Sequence, residues 1–537
     1  MHAELVFRGG RVFTGLEHRP FAEALAVQGG RIAFAGAESD AKRLVGPKTR
    51  VVELGGRLAL PGFHDAHTHL LGAGLVQDEL SLLGARSPEE CAARVRERAA
   101  RSREWITGRG WDADLFQGGA WPHKKVLDAV APKTPVLLFR RDGHAAWANA
   151  RALEAAGIAR RTRDPLHGKI VRDERGEATG ILLEEPAIAL VRSKVPAPTL
   201  ERRLRAAERG LELARSLGVT SLHDDASYDD RLEPGAVYSR LLAGGKLTAR
   251  VNLWQRLGRP IGELRAERDA LPESTRLGYG LLKGFLDGSL GSRTALLHAP
   301  YCDHAEAGAG ISLIDPRVLE ERVLEAHAKG FQVGLHAIGD KAATLALDAF
   351  EAVARVHGPE SLRAARHRIE HGQVLTARDV ARAGALGIVA SVQPVHLASD
   401  MKIALARLGP ERCRTSYPWR ALVEARTALA FGTDYPVESL DPLRGIFCAV
   451  VRRSPDDPGA EPFFPSQRLS REEALLAYTA GSAFAAHQDR FLGRFAQGLL
   501  ADVAVLSLDP FSIPAERLAE VRCDMTFVDG ECVFERA

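Results

Sequence analysis

An α/β fold is predicted: a (β/α)8 TIM-like barrel, a small composite β-sandwich domain drawn from both chain ends, and an insertion after the first barrel strand. Three observations predict it. Short apolar runs alternate with helical patterns through the middle of the chain, the pattern of βα units and a parallel sheet. Eight of these runs qualify as strands, the number that closes such a barrel. Both ends are instead rich in short strands broken by glycine turns. The 537 residues give room for this, since α/β barrels commonly run to ~250 residues or more as one unit.

The first segment reads as Glu4-Leu5-Val6-Phe7, Arg11-Val12-Phe13, Ala24 to Val27, Arg31 to Ala35 and Arg50 to Leu54, with Gly9-Gly10 and Gly29-Gly30 as hairpin turns. The last segment has the same texture in Ala501 to Leu506, Met525 to Val528 and Cys532 to Phe534, around a turn at Asp529-Gly530. Neither end has enough strands to be stable alone, so residues 1–56 and 495–537 are expected to pair into one domain. The barrel, 57–494, is expected from Arg57 to Pro61, Thr220 to His223, Arg250 to Trp254, Leu281 to Leu286, Gln332 to Leu335, His367 to Glu370, Ile388 to Val392 and Ala428 to Gly432. The long gap between the first two strands places an insertion at about residues 75–200.

Composition narrows the function classes. With 72 Lys+Arg against 69 Asp+Glu the formal charge is only +3, which argues against nucleic acid or an anionic membrane as the main partner. No basic flank followed by a signal-length apolar run opens the chain, and no stretch of ~18 uncharged apolar residues occurs, so a cytoplasmic location is expected. Cys91, Cys302, Cys413, Cys448, Cys523 and Cys532 form no Cys-x-x-Cys pair and read as buried free thiols.

The chemistry lies at strand ends. His67 and His69 follow the first apolar run in Pro61-Gly62-Phe63-His64-Asp65-Ala66-His67-Thr68-His69; two residues apart on an extended segment, they project the same way and could grip one cation. Active sites of such barrels sit where strands end in the C-terminal direction. The fifth, sixth and eighth runs lead into His336, His371 and Asp434, and Lys283 lies within the fourth. Each alone reads as structural; together they would leave several uncompensated buried groups at one rim unless a metal joined them.

His67-x-His69, Lys283, His336, His371 and Asp434, in that order, resemble the metal-binding set of the amidohydrolase superfamily. The words Asp287-Gly288-Ser289-Leu290-Gly291-Ser292-Arg293-Thr294-Ala295, Leu335 to Asp340, Arg368-Ile369-Glu370-His371, Gly432-Thr433-Asp434 and Asp142-Gly143-His144-Ala145-Ala146-Trp147 are similar to its amidohydrolase 3 branch, which includes YtcJ-like proteins and N-substituted formamide deformylases. The resemblance spans Gly10 to Phe534. It implies that His67 and His69 hold one divalent ion and His336 and His371 a second, bridged by Lys283 carboxylated on its amine, with zinc first and iron, manganese or nickel as alternatives. One ion or two, and an unmodified Lys283 acting as a nearby cation, stay open. Asp434 would touch a metal, take a proton from the bound water and hand it to the leaving nitrogen, while the hydroxide attacks a carbonyl.

The resemblance further implies substrate contacts at His144 and at Trp111 with Asp112 in the insertion, which a barrel uses as a lid or pocket wall, with plain core packing as the alternative for Trp111 and Trp147. Asp287 and Arg293 flank a glycine-rich turn where Arg293 would hold a carboxylate or pair with a structural acid, and His396 ends the seventh strand within reach of substrate. His64 reads as a hydrogen-bonding neighbour, and no motif requires His223 or Asp224 to bind metal. The expected function is metal-dependent hydrolysis of a carbon–nitrogen bond, of the amide or N-formyl type, in a small, partly apolar molecule; the apolar preference rests on Trp111, Phe116, Trp121 and Trp147. Alternatives are the same centre acting on an ester, lactone or carbamate, or a non-catalytic metal-binding regulator that senses a small molecule. A homodimer is expected from chain size and family, not from any interface visible in the sequence.

Overall fold

The computed structural model describes residues 2–101, 104–304, 306 and 308–537. Eight parallel strands form its centre: β1 (Phe63–Thr68), β2 (Val219–Asp225), β3 (Arg250–Arg256), β4 (Leu277–Phe285), β5 (Gln332–Ala337), β6 (Arg368–His371), β7 (Val389–Val392) and β8 (Ala428–Phe431). Their order is sequential, β8-β7-β6-β5-β4-β3-β2-β1. The two edge strands meet at their C-terminal ends: the Asp434 amide donates to His67 O at 2.7 Å, and the Asp65 carboxylate accepts from the Thr433 amide at 3.0 Å and hydroxyl at 2.5 Å. That makes a near-barrel whose seam lies beside the candidate site. Leucine, valine and alanine dominate the contiguous core between strands and outer helices, as expected for strands covered on both faces.

Seven of the eight expected barrel strands stand where the sequence placed them, within a few residues. The first does not. Leu58–Pro61 belongs to a six-stranded sheet of the chain ends, between Arg11–Leu16 and Val503–Leu506, and barrel strand β1 starts only at Phe63. The reason is at Gly62, which splits one apolar run between two sheets. Its amide bonds to Asp502 O, the next amide bonds to Gly218 O, and a Cβ at Gly62 would come within 2.2 Å of the Thr220 hydroxyl. Only a residue without a side chain lets the chain cross there.

The six-stranded sheet runs Glu531–Glu535, Cys523–Val528, Val503–Leu506, Leu58–Pro61, Arg11–Leu16, Arg19–Ala22, so both chain ends share one ladder. A four-stranded sheet of Arg31–Gly36, Ala24–Gln28, Leu5–Arg8 and Arg50–Glu53 packs on it, with Phe7 edge-on to Phe527 at 5.0 Å. Arg250, at the start of β3, ties this unit to the barrel through a buried fork to Asp502 at 2.7 and 2.8 Å.

Between β1 and β2 a six-stranded mixed sheet is inserted: Lys169–Arg172, Ala178–Leu183, Ala145–Ala148, Val136–Arg140, Ile106–Trp111 and Leu80–Ser81. Four cysteines are buried, as expected, whereas Cys532 is half-buried and Cys302 exposed; none of the six is in a disulfide. No helix among the described residues is long and apolar enough to cross a membrane.

Candidate metal centre

Residues leave regular strand geometry where the site begins. The β1–β2 register shifts twice, once between Leu222 and Asp224, where β1 spends Asp65 to Thr68 against the shorter β2 segment. Such a bulge re-aims side chains at a barrel rim, and here it turns His67 and His69 toward one point. His371 ends β6 with φ 72°, and Asp434 follows β8 with φ 57°. Both lie in the left-handed region, which costs a non-glycine residue of the order of 1–3 kcal/mol and persists only where the surroundings enforce it.

The six expected ligands converge. His69 Nε2 is 2.9 Å and His67 Nε2 3.7 Å from Asp434 Oδ1; Lys283 Nζ is 3.2 Å from His67 Nε2. The His371 ring centroid is 4.9 Å from that of His67 and 4.4 Å from that of His336. Nitrogen and oxygen atoms of His67, His371 and Asp434 lie within 4.8 Å of one another, and so do those of His67, His69 and Asp225. His67 is thus common to both groups, and His336 joins them through its contact with His371.

Each histidine is turned by an oxygen acceptor at Nδ1. His67 Nδ1 meets Glu370 Oε2 at 2.7 Å, His69 Nδ1 the Asp225 carbonyl at 2.7 Å, His336 Nδ1 Asp287 Oδ1 at 3.0 Å, and His371 Nδ1 Gln393 Oε1 at 2.8 Å. An oxygen that only accepts requires a proton on Nδ1, so Nε2 is the ligand atom that each of the four rings presents to the site. Outer acceptors of this kind are what fix metal-binding imidazoles. Asp434 Oδ1 is buried and faces His69 Nε2 at 2.9 Å. Four imidazole nitrogens and one carboxylate oxygen fit a divalent cation of the borderline type, such as zinc.

The electrostatics follow from burial and close charges. Burial, aided by Lys283, pushes the His67 imidazole down to about 4, and burial carries His371 well below the usual histidine range. Burial opposes a raised pKa at His69 and His396, but Asp434 overcomes it at both. Burial would raise Asp434; contacts with His396, 3.2 Å away, and His69 instead hold it well below the usual carboxylate range. Glu370 is likewise raised by burial, yet Arg368 and His67 bring it to about 2. Both carboxylates therefore stay anionic at neutral pH.

These groups open into a cavity of about 760 Å³, a size suited to a small molecule. His144 and His396 line it as expected. His144 reaches in from the inserted sheet, 5.2 Å from the His336 ring, and Glu184 at 2.9 Å lifts its pKa, against burial, to about 9. Three residues expected at substrate are elsewhere. Trp111 is fully buried between Trp121 and Trp147 in the core of the insertion, its indole donating to Leu138 O at 2.9 Å, because a large ring on a central strand of a covered sheet packs inward. Phe116 shares that core, so the aromatic set behind the apolar expectation does not form the cavity; Phe139, Phe285, Leu290 and Ile338 do. Asp287 is spent on His336 and on the amides of Leu296, Ile338 and Gly339. Arg293 pairs with Asp303 at 3.0 Å, which is the structural alternative.

Asp225, Glu370 and Gln393 were not singled out by sequence. Asp225 Oδ2 lies 3.1 Å from Lys283 Nζ, and its carbonyl orients His69. The run His223-Asp224-Asp225 carries the signal for Asp225, because the strand runs on to Asp225 rather than ending at His223. Glu370 sat in plain view beside His371, and its partner comes from another strand.

The Amidohydrolase family matches residues 50–534. Protein LONG AFTER FAR-RED 3 of Arabidopsis thaliana is 36% identical over 99% of this chain and 92% of its own length, and the putative amidohydrolase YtcJ of Bacillus subtilis is 34% identical over 99% of both. An N-substituted formamide deformylase of Arthrobacter pascens is 28% identical over 96% and 95%. Among solved structures, an uncharacterized metal-dependent hydrolase from Pyrococcus horikoshii superposes with a TM-score of 0.76 at 29% identity, covering 95% of this chain and 99% of that one. With a family match over most of its length and relatives above 30% identity along the whole of it, this chain belongs to the amidohydrolase family.

Proposed function

We propose that this protein is a metal-dependent hydrolase that cleaves a carbon–nitrogen bond, of the amide or N-formyl type, in a small molecule. The observation that carries the reading is the shared orientation of His67, His69, His336 and His371, each with Nδ1 bonded to an oxygen and Nε2 turned to one barrel mouth. A divalent ion such as zinc, held by those nitrogens and Asp434, would supply Lewis acidity toward a carbonyl oxygen and lower the pKa of a water.

The chain's own groups account for the proton. Asp434 is buried, anionic and placed between His69 and His396, so its carboxylate is the base that accepts a proton and returns it to the departing nitrogen. A neutral His69 would no longer depress the proton affinity of Asp434, leaving it better suited to that exchange. His396 holds the second carboxylate oxygen, and the positively charged His144 faces the site from the opposite wall, where developing negative charge on an oxygen would be stabilised. As an ammonium, Lys283 satisfies Asp225; carboxylated, it would become an anionic oxygen ligand, which two buried cations beside it would favour.

The test is release of amine from a panel of N-formyl and N-acyl compounds by metal-reconstituted protein, with ester and carbamate counterparts alongside. Amine release that disappears on chelation and returns with metal is the expected result. Turnover confined to esters or lactones would move the activity to that bond class.

A further inference from the structure

Branched apolar side chains ordinarily fill the interior of a parallel barrel. Beneath the candidate ligands this barrel holds a cation instead: Arg368, the first residue of β6, is fully buried and lines no part of the cavity. Its guanidinium reaches three other strands. It donates to the Ala66 carbonyl of β1 at 2.7 Å, to His223 Nδ1 of β2 at 2.8 Å and to Ser391 Oγ of β7 at 2.7 Å, and it sits over the Trp254 ring of β3 at 4.9 Å. Burying such a group costs desolvation that only a full set of partners offsets, so its place in the core calls for a reason beyond packing.

The partner that matters is Glu370. Two residues along the same strand, it projects to the same face, with Oε1 2.8 Å from Arg368 Nε and Oε2 3.2 Å from Arg368 Nη2. Oε2 is also the acceptor for His67 Nδ1 at 2.7 Å. Gly334 of β5 leaves the carboxylate its space, since a Cβ there would come within 3.1 Å of Oε1. Among the described residues no third side chain hydrogen-bonds to this carboxylate. A planar fork set against both oxygens fixes the plane of a carboxylate as well as its place. His67 is the ring common to both ligand groups, so the aim of its Nε2 depends on a carboxylate that Arg368 holds.

We propose that Arg368 is a positioning residue for the metal centre: acting through Glu370, it fixes the direction of His67 Nε2 and thereby sets how tightly the ion is held. The inference rests on the metal-dependent reading above, though not on which bond is cleaved.

Zinc affinity of the full chain, measured in competition with a chelator, tests this beside the visible absorption of the cobalt(II)-loaded protein, which reports how the ligands are arranged about the ion. Arg368→Lys keeps the buried charge and gives up the fork; it should weaken zinc binding about tenfold and move the cobalt band in the same direction as Glu370→Gln does. Arg368→Gln, measured alongside so that the result does not hang on one variant folding, should weaken binding at least as much. Arg368→Lys combined with Glu370→Gln should bind zinc no more weakly than Glu370→Gln alone, because the first acts through the second. His64→Gln, beyond His223 in the same core, should change neither affinity nor band. Zinc affinity unchanged in both Arg368 variants would overturn the inference. So would losses that multiply in the combined variant, since a general loosening of the barrel acts independently of Glu370. The expected pattern in a protein that releases no amine from N-acyl compounds would uphold the role of Arg368 and refute the hydrolase reading. Amine release with zinc affinity indifferent to Arg368 would do the reverse, and unaltered protein that takes up no zinc would overturn both.

Discussion

The barrel holds two sets of buried histidines, and they differ in what their partners leave over. At the mouth, His67, His69, His336 and His371 each bond Nδ1 to an oxygen and turn Nε2 to the shared site. Away from the mouth the chains are closed. Arg368 can only donate, so His223 Nδ1 accepts at 2.8 Å and its Nε2 proton goes to His64 Nε2 at 2.8 Å. The Val333 amide donates to His367 Nδ1 at 3.0 Å; His367 then donates to His327 at 3.0 Å, and His327 to Ser361 at 2.9 Å. Burial depresses His64 and His367 to about 3, and His67 to about 4, so proton affinity does not separate the sets. The identity of the group at the second nitrogen does.

The largest expected effect tests the mouth as a working site. Asp434→Asn should lower kcat by about 10² to 10⁴, the usual span for deleting a general base, while metal content stays near that of the unaltered protein. Full turnover in that variant would remove the residue from the chemistry. Next come the oxygens that orient the rings. Glu370→Gln and Asp287→Asn should weaken metal affinity about 10- to 100-fold in a chelator competition, whereas His64→Gln should leave it unchanged. If the His64 variant loses as much metal as the Glu370 variant, the two sets are not distinct.

The deeper set should show the opposite signature. His367→Ala strands the Val333 amide and breaks the link to His327, at a cost of about 1–3 kcal/mol in denaturant unfolding, with metal stoichiometry unaltered. The smallest effect is in pH. His144 has its pKa raised from 6.5 to about 9 in the folded state, so the stability it gains from Glu184 is fully present below 6.5 and is lost as pH rises through 9. The melting temperature of the unaltered protein should exceed that of His144→Asn at pH 6, and the gap should close by pH 10. A constant gap would contradict the pairing.

The meeting of the six candidate ligands at one mouth was legible in the sequence because five of them stand at the ends of apolar runs and Lys283 within another, and the order of strands in such a barrel is the order of the chain. Asp434 and His336 could therefore be placed at one rim without coordinates. The acceptors were not legible for the same reason that they matter: Glu370 serves a histidine 303 residues away, and Gln393 serves His371 across to the next strand. Nothing local marks which oxygen turns which ring. Leu58–Pro61 was misplaced because an apolar run of strand length does not reveal where Gly62 divides it between sheets. Trp111, given a substrate contact by the resemblance, lies instead in the core of the insertion, because the sheet around it is covered on both faces.

The Nε2 atoms at the mouth as metal ligands are the central claim, and metal content tests it most directly. Protein expressed with zinc supplementation, desalted and measured by plasma mass spectrometry, is predicted to carry about one or two equivalents of transition metal, lost on combined substitution of His67 and His371 and kept on substitution of His64. Less than about a tenth of an equivalent in the unaltered protein, or unchanged content without His67 and His371, would contradict the account.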